Sequence, residues 1–234
     1  MKLATLCLLL LAAPILARPD ADPLKQLVKD LNDAAKAGDT AAFDACIAKA
    51  EELKGSMDEK KFDPVVKAIG KVTGHKDEGM AAAAIGALGK LKVKGSSKLF
   101  GKQVAPPAKV AEEKLPVHLA AIRAAGEIQD EESVKGLLNN LDHAMPEIAT
   151  ASAEALALFK GLEAKDRLDL LGDLIKELEK LERKVAGAKQ EEAKAAADKV
   201  RAAVGAALHG LTGKEGVSTA EDWEKWLKEE GRRK

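Results

Sequence analysis

The sequence predicts an all-α protein, an α-solenoid of stacked antiparallel helix pairs, and three observations predict it. A small-residue segment recurs. Residues 83–91 (AAIGALGKL) align without gaps on residues 120–128 (AAIRAAGEI), and five of the nine are identical. A third copy ends ALALF at Phe159 and a fourth, VRAAVGAAL, covers 200–208, so successive copies lie 37, 31 and 52 positions apart. Apolar residues also recur three and four positions apart along most of the chain, which is the spacing of one helical face. Finally, β-branched clusters and strict apolar–polar alternation are scarce, so strands are not expected. A single helix pair cannot bury its apolar face, and repeated pairs must therefore stack.

Composition agrees. The chain has 234 residues, 46% hydrophobic but only 3% aromatic, with no tyrosine. Such a core is filled by Ala and Leu on closely packed helices. Acidic and basic residues balance at 38 each, which argues against a nucleic-acid partner.

Taken in order, residues 1–17 (MKLATLCLLLLAAPILA) have a basic start, an apolar run and a small residue at Ala17, the pattern of a cleaved export signal. The run is too short to serve comfortably as a membrane anchor, and no membrane span is expected in the mature chain, which is read as periplasmic or extracellular. Removing the leader removes Cys7. Cys46 then has no disulfide partner, and it shares a helical face with Phe43, Ile47 and Ala50 as a buried small hydrophobe.

Residues 18–61 are expected to form an N-terminal capping hairpin. Asp22 caps a helix that Pro23 opens, 37–40 breaks it, and a second helix runs from about Thr40 to Leu53. A helix over 62–72 and the first small-residue helix follow, opening a repeat array over 62–211. Residues 92–114 interrupt the array. They carry Lys92, Lys94, Lys98, Lys102 and Lys109 before any acid, and Pro106-Pro107 cannot lie inside a helix. A short helix near 97–104 and then an exposed loop are expected. As a contact surface, Lys94, Lys98 and Lys102 would suit an anionic partner. Leu168 to Val185 is the most regular helix, with Leu171, Leu174, Leu178 and Leu181 along one face.

Residues 212–234 read as a C-terminal capping helix. Ser218 and Glu221 have capping-box spacing, and Trp223 and Trp226 share a face with Leu227. Both indoles are expected to close the last repeat. The alternative is a sugar platform.

Residues 120–156 (AAIRAAGEIQDEESVKGLLNNLDHAMPEIATASAEAL) resemble a HEAT repeat of the short bacterial kind, the PBS-lyase HEAT-like type. That pattern has an apolar residue and an arginine, Ala-Ala-x-Ala-Leu, a glycine, an apolar residue, an aspartate and spaced leucines. The Leu-Thr-Gly…Trp-x-x-Trp ending is similar to that of exported bacterial HEAT-repeat proteins. The resemblance implies stacked helix pairs and an extended surface for a protein or peptide partner. Only Arg201 fills the usual arginine position, which Ala81, His118 and Ala149 take elsewhere, so a ladder of Asp–Arg pairs between repeats is largely absent. Bilin-lyase activity is not carried over, because those enzymes work in the cytosol or plastid.

No chemistry-bearing motif emerges. His75, His118, His143 and His209 lack metal spacing, and Gly86 and Gly89 lie in a helix rather than after a strand. No cofactor, metal or catalytic residue is expected. The sequence thus supports a monomeric, exported scaffold for a protein or peptide. The alternatives are an anionic-polymer binder acting through the lysine-rich segment and a lyase-like enzyme.

Overall fold

The computed structural model describes residues 22–56 and 58–232. The leader, its cut at Ala17 and Cys7 lie outside the described residues. Among those residues there are eleven α-helices and no strand.

Aspartates start the first four helices. Asp22 accepts the Leu24 N–H at 3.0 Å and opens α1 (Pro23–Ala37). Asp39 does the same for α2 (Thr40–Lys54), Asp58 for α3 (Glu59–Val72) and Asp77 for α4 (Glu78–Leu91). Each cap satisfies one of the N–H groups a helix leaves open at its start. Asp58 begins α3 three residues before the expected Phe62, which places Pro64 inside the helix. Gly38, at φ +70°, makes the reversal between α1 and α2.

The remaining helices are α5 (Gly101–Val104), α6 (Leu115–Ile128), α7 (Val134–Asn139), α8 (Pro146–Leu156), α9 (Ala164–Gly187), α10 (Glu191–Thr212) and α11 (Ala220–Arg232). They form two rows. Helices α2, α4, α6, α8 and α10 pack side by side in an alanine row. Helices α1, α3, α5, α7 and α9 form a flanking row, each packed on its partner in the alanine row. This is the solenoid arrangement that the recurring segments predict.

The recurrence also explains how closely the alanine row packs. A Cβ at Gly89 would lie 2.9 Å from the Ala124 Cα, and one at Gly126 would lie 2.8 Å from the Ala155 Cα. Gly89 and Gly126 are the same repeat position, as are Ala124 and Ala155. The contact is therefore made twice, from each copy to the next, and only glycine fits it. Buried Ile85, Ile122, Leu88 and Leu156 fill the seam to the flanking row.

The expected N-terminal hairpin is α1 and α2, which pack on each other, with α1 also on α3 and α2 on α4. The short helix expected near 97–104 is present within 92–114. A 3-10 turn at Ser96–Leu99 and then α5 stand where a flanking helix belongs, with Phe100 only 1% exposed and Val104 also buried. Phe100 and Val104 are the anchors, and the two prolines only end the element. The last repeat owes its 52-residue spacing to the length of α9 and α10.

At the C-terminus Gly213, at φ +65°, ends α10. The expected Ser218–Glu221 capping box is replaced by one a residue later. Thr219 Oγ1 accepts the Asp222 N–H at 3.2 Å and donates to the Asp222 carboxylate at 2.7 Å. Glu221 instead pairs with Lys225. The helix starts at Ala220, and Ala220 and Trp223 are buried. Trp223 is 0% exposed, edge-on to His209 at 5.2 Å and to the half-buried Trp226 at 5.6 Å. Helix α11 thus packs on α9 with its indoles inward.

Candidate functional site

An open concavity lies across the alanine row. It has a volume of about 750 Å³ and is lined from α2 by Glu51 and Lys54, from α4 by Gly86, Gly89, Lys90 and Leu91, and then by Lys92. Helix α6 adds Ala120, Arg123, Ala124 and Glu127. The floor is nearly bare backbone. A Cβ at Gly86 would meet nothing within 4 Å, so that position opens directly into the groove.

Charges around the groove fall into two sets. Lys54 donates to the Leu91 carbonyl, and Lys92 pairs with Glu127 at 2.9 Å. Lys90 and Arg123 are exposed and have no ion-pair or hydrogen-bond partner among the described residues. They flank the closest approach of α4 and α6, since their neighbours Gly89 and Ala124 make that contact. Glu51 is the remaining acid in the lining, which therefore carries four cations and two anions.

The lysine-rich segment turns out to be engaged with its own chain. Lys98 pairs with Glu132 at 3.1 Å. The Asp130 carboxylate receives the Gly95 N–H at 2.9 Å and the Ser97 hydroxyl at 2.5 Å. Gly95 stands at φ +79°, a conformation that aims its N–H at Asp130 without a Cβ penalty. Lys94 and Lys102 are exposed, and Lys102 lines a separate hollow of about 320 Å³ together with His75, Glu78, Lys114 and His118. Of Lys94, Lys98 and Lys102, Lys98 alone has an ion-pair partner among the described residues.

Those bonds belong to a wider set. Asn140 Nδ2 donates to the Val104 carbonyl at 2.7 Å and to Ser152 at 3.1 Å, wholly within the core. His143 meets the Pro107 carbonyl, Lys180 reaches Asp142, and Glu182 accepts the Ala220 N–H. The bonds that join Asp130 to Gly95 and Ser97, Asn140 to Val104, His143 to Pro107, Lys180 to Asp142 and Glu182 to Ala220 span 33 to 38 positions, about one repeat. A polar ladder therefore links neighbouring repeats, built mostly from Asp, Asn, His and Lys. Arg201 instead pairs with Asp198 on its own helix.

The remaining titratable groups read as structural. His118, 9% exposed, meets the Gln103 carbonyl with Nδ1 at 2.8 Å. A carbonyl only accepts, so Nδ1 carries the proton and ties α6 to α5. Burial pushes the Cys46 thiol up, which disfavours its thiolate. Burial also raises the Glu177 carboxyl, although Lys180 at 2.8 Å pulls the other way. The second Glu177 oxygen is buried without a hydrogen-bond partner.

A second groove, of about 380 Å³, lies between α7 and α9. Val134, Leu138, Leu162 and Leu170 are its apolar part, and Glu131, Asp166, Asp169 and Asp173 outnumber Lys135 around it. Among the described residues no three His, Cys, Asp or Glu side chains form a metal-binding group, and no helix is long and apolar enough to cross a membrane.

Compared with known protein families and with curated proteins, the chain matches no family model and no curated sequence.

The reading of the sequence missed the groove residues, although a signal was present. In the alignment of 83–91 on 120–128, Gly86 falls on Arg123 and Lys90 on Glu127. These non-identical columns line the groove, together with the identical Gly89, which also packs against Ala124 of the next helix.

Proposed function

We propose that this chain is an exported, non-catalytic HEAT-like scaffold that binds a protein or peptide partner across its alanine row. The observation that carries this reading is the groove of about 750 Å³ spanning α2, α4 and α6. Its floor of glycine and alanine lets a partner's main chain approach the helix backbones, and its rim offers charges for orientation. HEAT-like architecture is supported by the helix pairs, the twice-made glycine contact and the ladder at one-repeat spacing. An extracytoplasmic location is supported by the leader pattern of residues 1–17.

Binding an anionic polymer through the lysine-rich segment is disfavoured, because Lys92 and Lys98 already neutralise Glu127 and Glu132. The test is site-specific photocrosslinking. A crosslinker at Gly86 should capture a defined partner, and one at exposed Lys194 on α10 should not. Gly86→Trp should abolish a second capture from Ala120, because the indole fills the groove. Equal capture from Gly86 and Lys194 would refute the reading.

A further inference from the structure

We infer that the alanine-row groove takes an acidic peptide segment, whose carboxylates are held between Lys90 and Arg123. The inference rests on the groove being the binding surface, and it names what that surface selects.

Three cations meet acids of a neighbouring repeat, Lys92 with Glu127, Lys98 with Glu132 and Lys180 with Asp142. Lys90 and Arg123 have no such acid. They stand on adjacent helices that touch at Gly89 and Ala124, both exposed and both without a partner among the described residues. Both cations line one groove and are open to a carboxylate there. An arginine fork matches the planar carboxylate with two parallel hydrogen bonds, and the lysine adds a point charge.

The lining also favours a peptide over a uniformly charged polymer. Glu51 stands in the same groove. It repels a chain that is anionic at every unit but can accept an N–H group of a peptide. The floor at Gly86 is open, so a main chain can lie against α4 there. The groove between α7 and α9 has the opposite sign and rejects an acidic segment, which restricts it to the alanine row.

The test uses the full chain and a fluorescein-labelled Glu-Ala repeat peptide, read by fluorescence anisotropy. Binding should weaken steeply with salt. The double change Lys90→Gln, Arg123→Gln should weaken it by about tenfold or more, since it removes charge-assisted hydrogen bonds. Lys98→Gln with Lys102→Gln should leave it unchanged, and Gly86→Trp should abolish it. Circular dichroism confirms that every variant is folded.

Three outcomes overturn the proposal. If a Gln-Ala peptide binds as tightly and Gly86→Trp still blocks it, the groove binds but does not select acid, and only this inference falls. If the acidic peptide does not bind, or ignores both Gly86→Trp and the Lys90/Arg123 pair, the acidic assignment fails. If polyphosphate binds more tightly than the peptide at the same two residues, the site selects a polyanion rather than a peptide.

Discussion

Gly86 and Gly89 lie three residues apart on α4, and a methyl group added at each should have opposite effects. In a helix, alanine is better than glycine by about 1 kcal/mol, and both positions gain that. At Gly86 the new Cβ meets nothing within 4 Å, so Gly86→Ala should stabilise the protein by about that amount. At Gly89 it would lie 2.9 Å from the Ala124 Cα and 3.0 Å from its Cβ. Comfortable carbon–carbon separation is about 3.5–4.0 Å, so α4 and α6 must move apart by several tenths of an ångström. That neighbour is a main-chain atom and cannot rotate away. Overpacking of this kind costs about 1–3 kcal/mol, so Gly89→Ala should fall that far below Gly86→Ala. For a chain of this size each kcal/mol moves the melting midpoint by about 2–4 °C. The two variants should therefore melt roughly 2–12 °C apart by circular dichroism. Equal midpoints would show that α4 and α6 do not approach as described, and would remove the basis for the repeated glycine contact.

Three further outcomes follow from the ladder and the cap. Asp130→Ala should cost about 1.5–3 kcal/mol, the worth of hydrogen bonds to a charged group, by releasing the Gly95 N–H and Ser97 hydroxyl; chemical denaturation measures it, and an unchanged midpoint would refute that rung. Burial raises the folded-state carboxyl of Glu177 above its ordinary 4.5. The folded state thus holds the proton more tightly, and the contribution is fully present below the unfolded value and lost as pH rises through the folded one. Glu177→Gln should remove that loss, so its stability relative to the parent should be more favourable at pH 7 than at pH 4; melts at the two pH values check the sign. Trp223→Ala should cost about 3–5 kcal/mol, as for other buried large aromatics. In the parent, Trp223 emission should be blue-shifted and resistant to acrylamide quenching, and a water-exposed spectrum would overturn the cap.

What the sequence revealed and what it hid separate along physical lines. Helix positions depend on local signals. Asp22 before Pro23, Gly38 and Gly213 mark ends that the structure shares. The small-residue copies were legible because close packing demands Ala and Gly at fixed intervals. The flanking element at 96–104 was harder to read. Its lysines and glycines resemble a solvated loop, and only Phe100 and Val104 carry the packing. A residue pattern that short gives no periodicity to detect. The capping box was misplaced by one residue because Ser218–Glu221 and Thr219–Asp222 have the same spacing. The structure uses Thr219 and Asp222, and the spacing alone does not distinguish the two.

The ladder was hidden for a different reason. A search for Asp–Arg pairs looks for residue types at matching repeat positions, whereas this chain meets the same need with changing chemistry. Asp130 reaches a backbone N–H and a hydroxyl, Asn140 and His143 reach carbonyls, and Lys180 reaches a carboxylate. What recurs is the separation of about one repeat. Stacking fixes which segments face one another, and any donor–acceptor pair placed there can serve as a rung. The same logic bears on the groove. Columns identical between the first two copies, such as Gly89 and Gly126, are held by contacts that a methyl group would break. Of the columns that differ, Gly86 against Arg123 and Lys90 against Glu127 line the groove, whereas Leu88 against Ala125 and Leu91 against Ile128 lie in the core. Backbone approach sets the stack, which leaves the charge of the groove free to be shaped by what it binds.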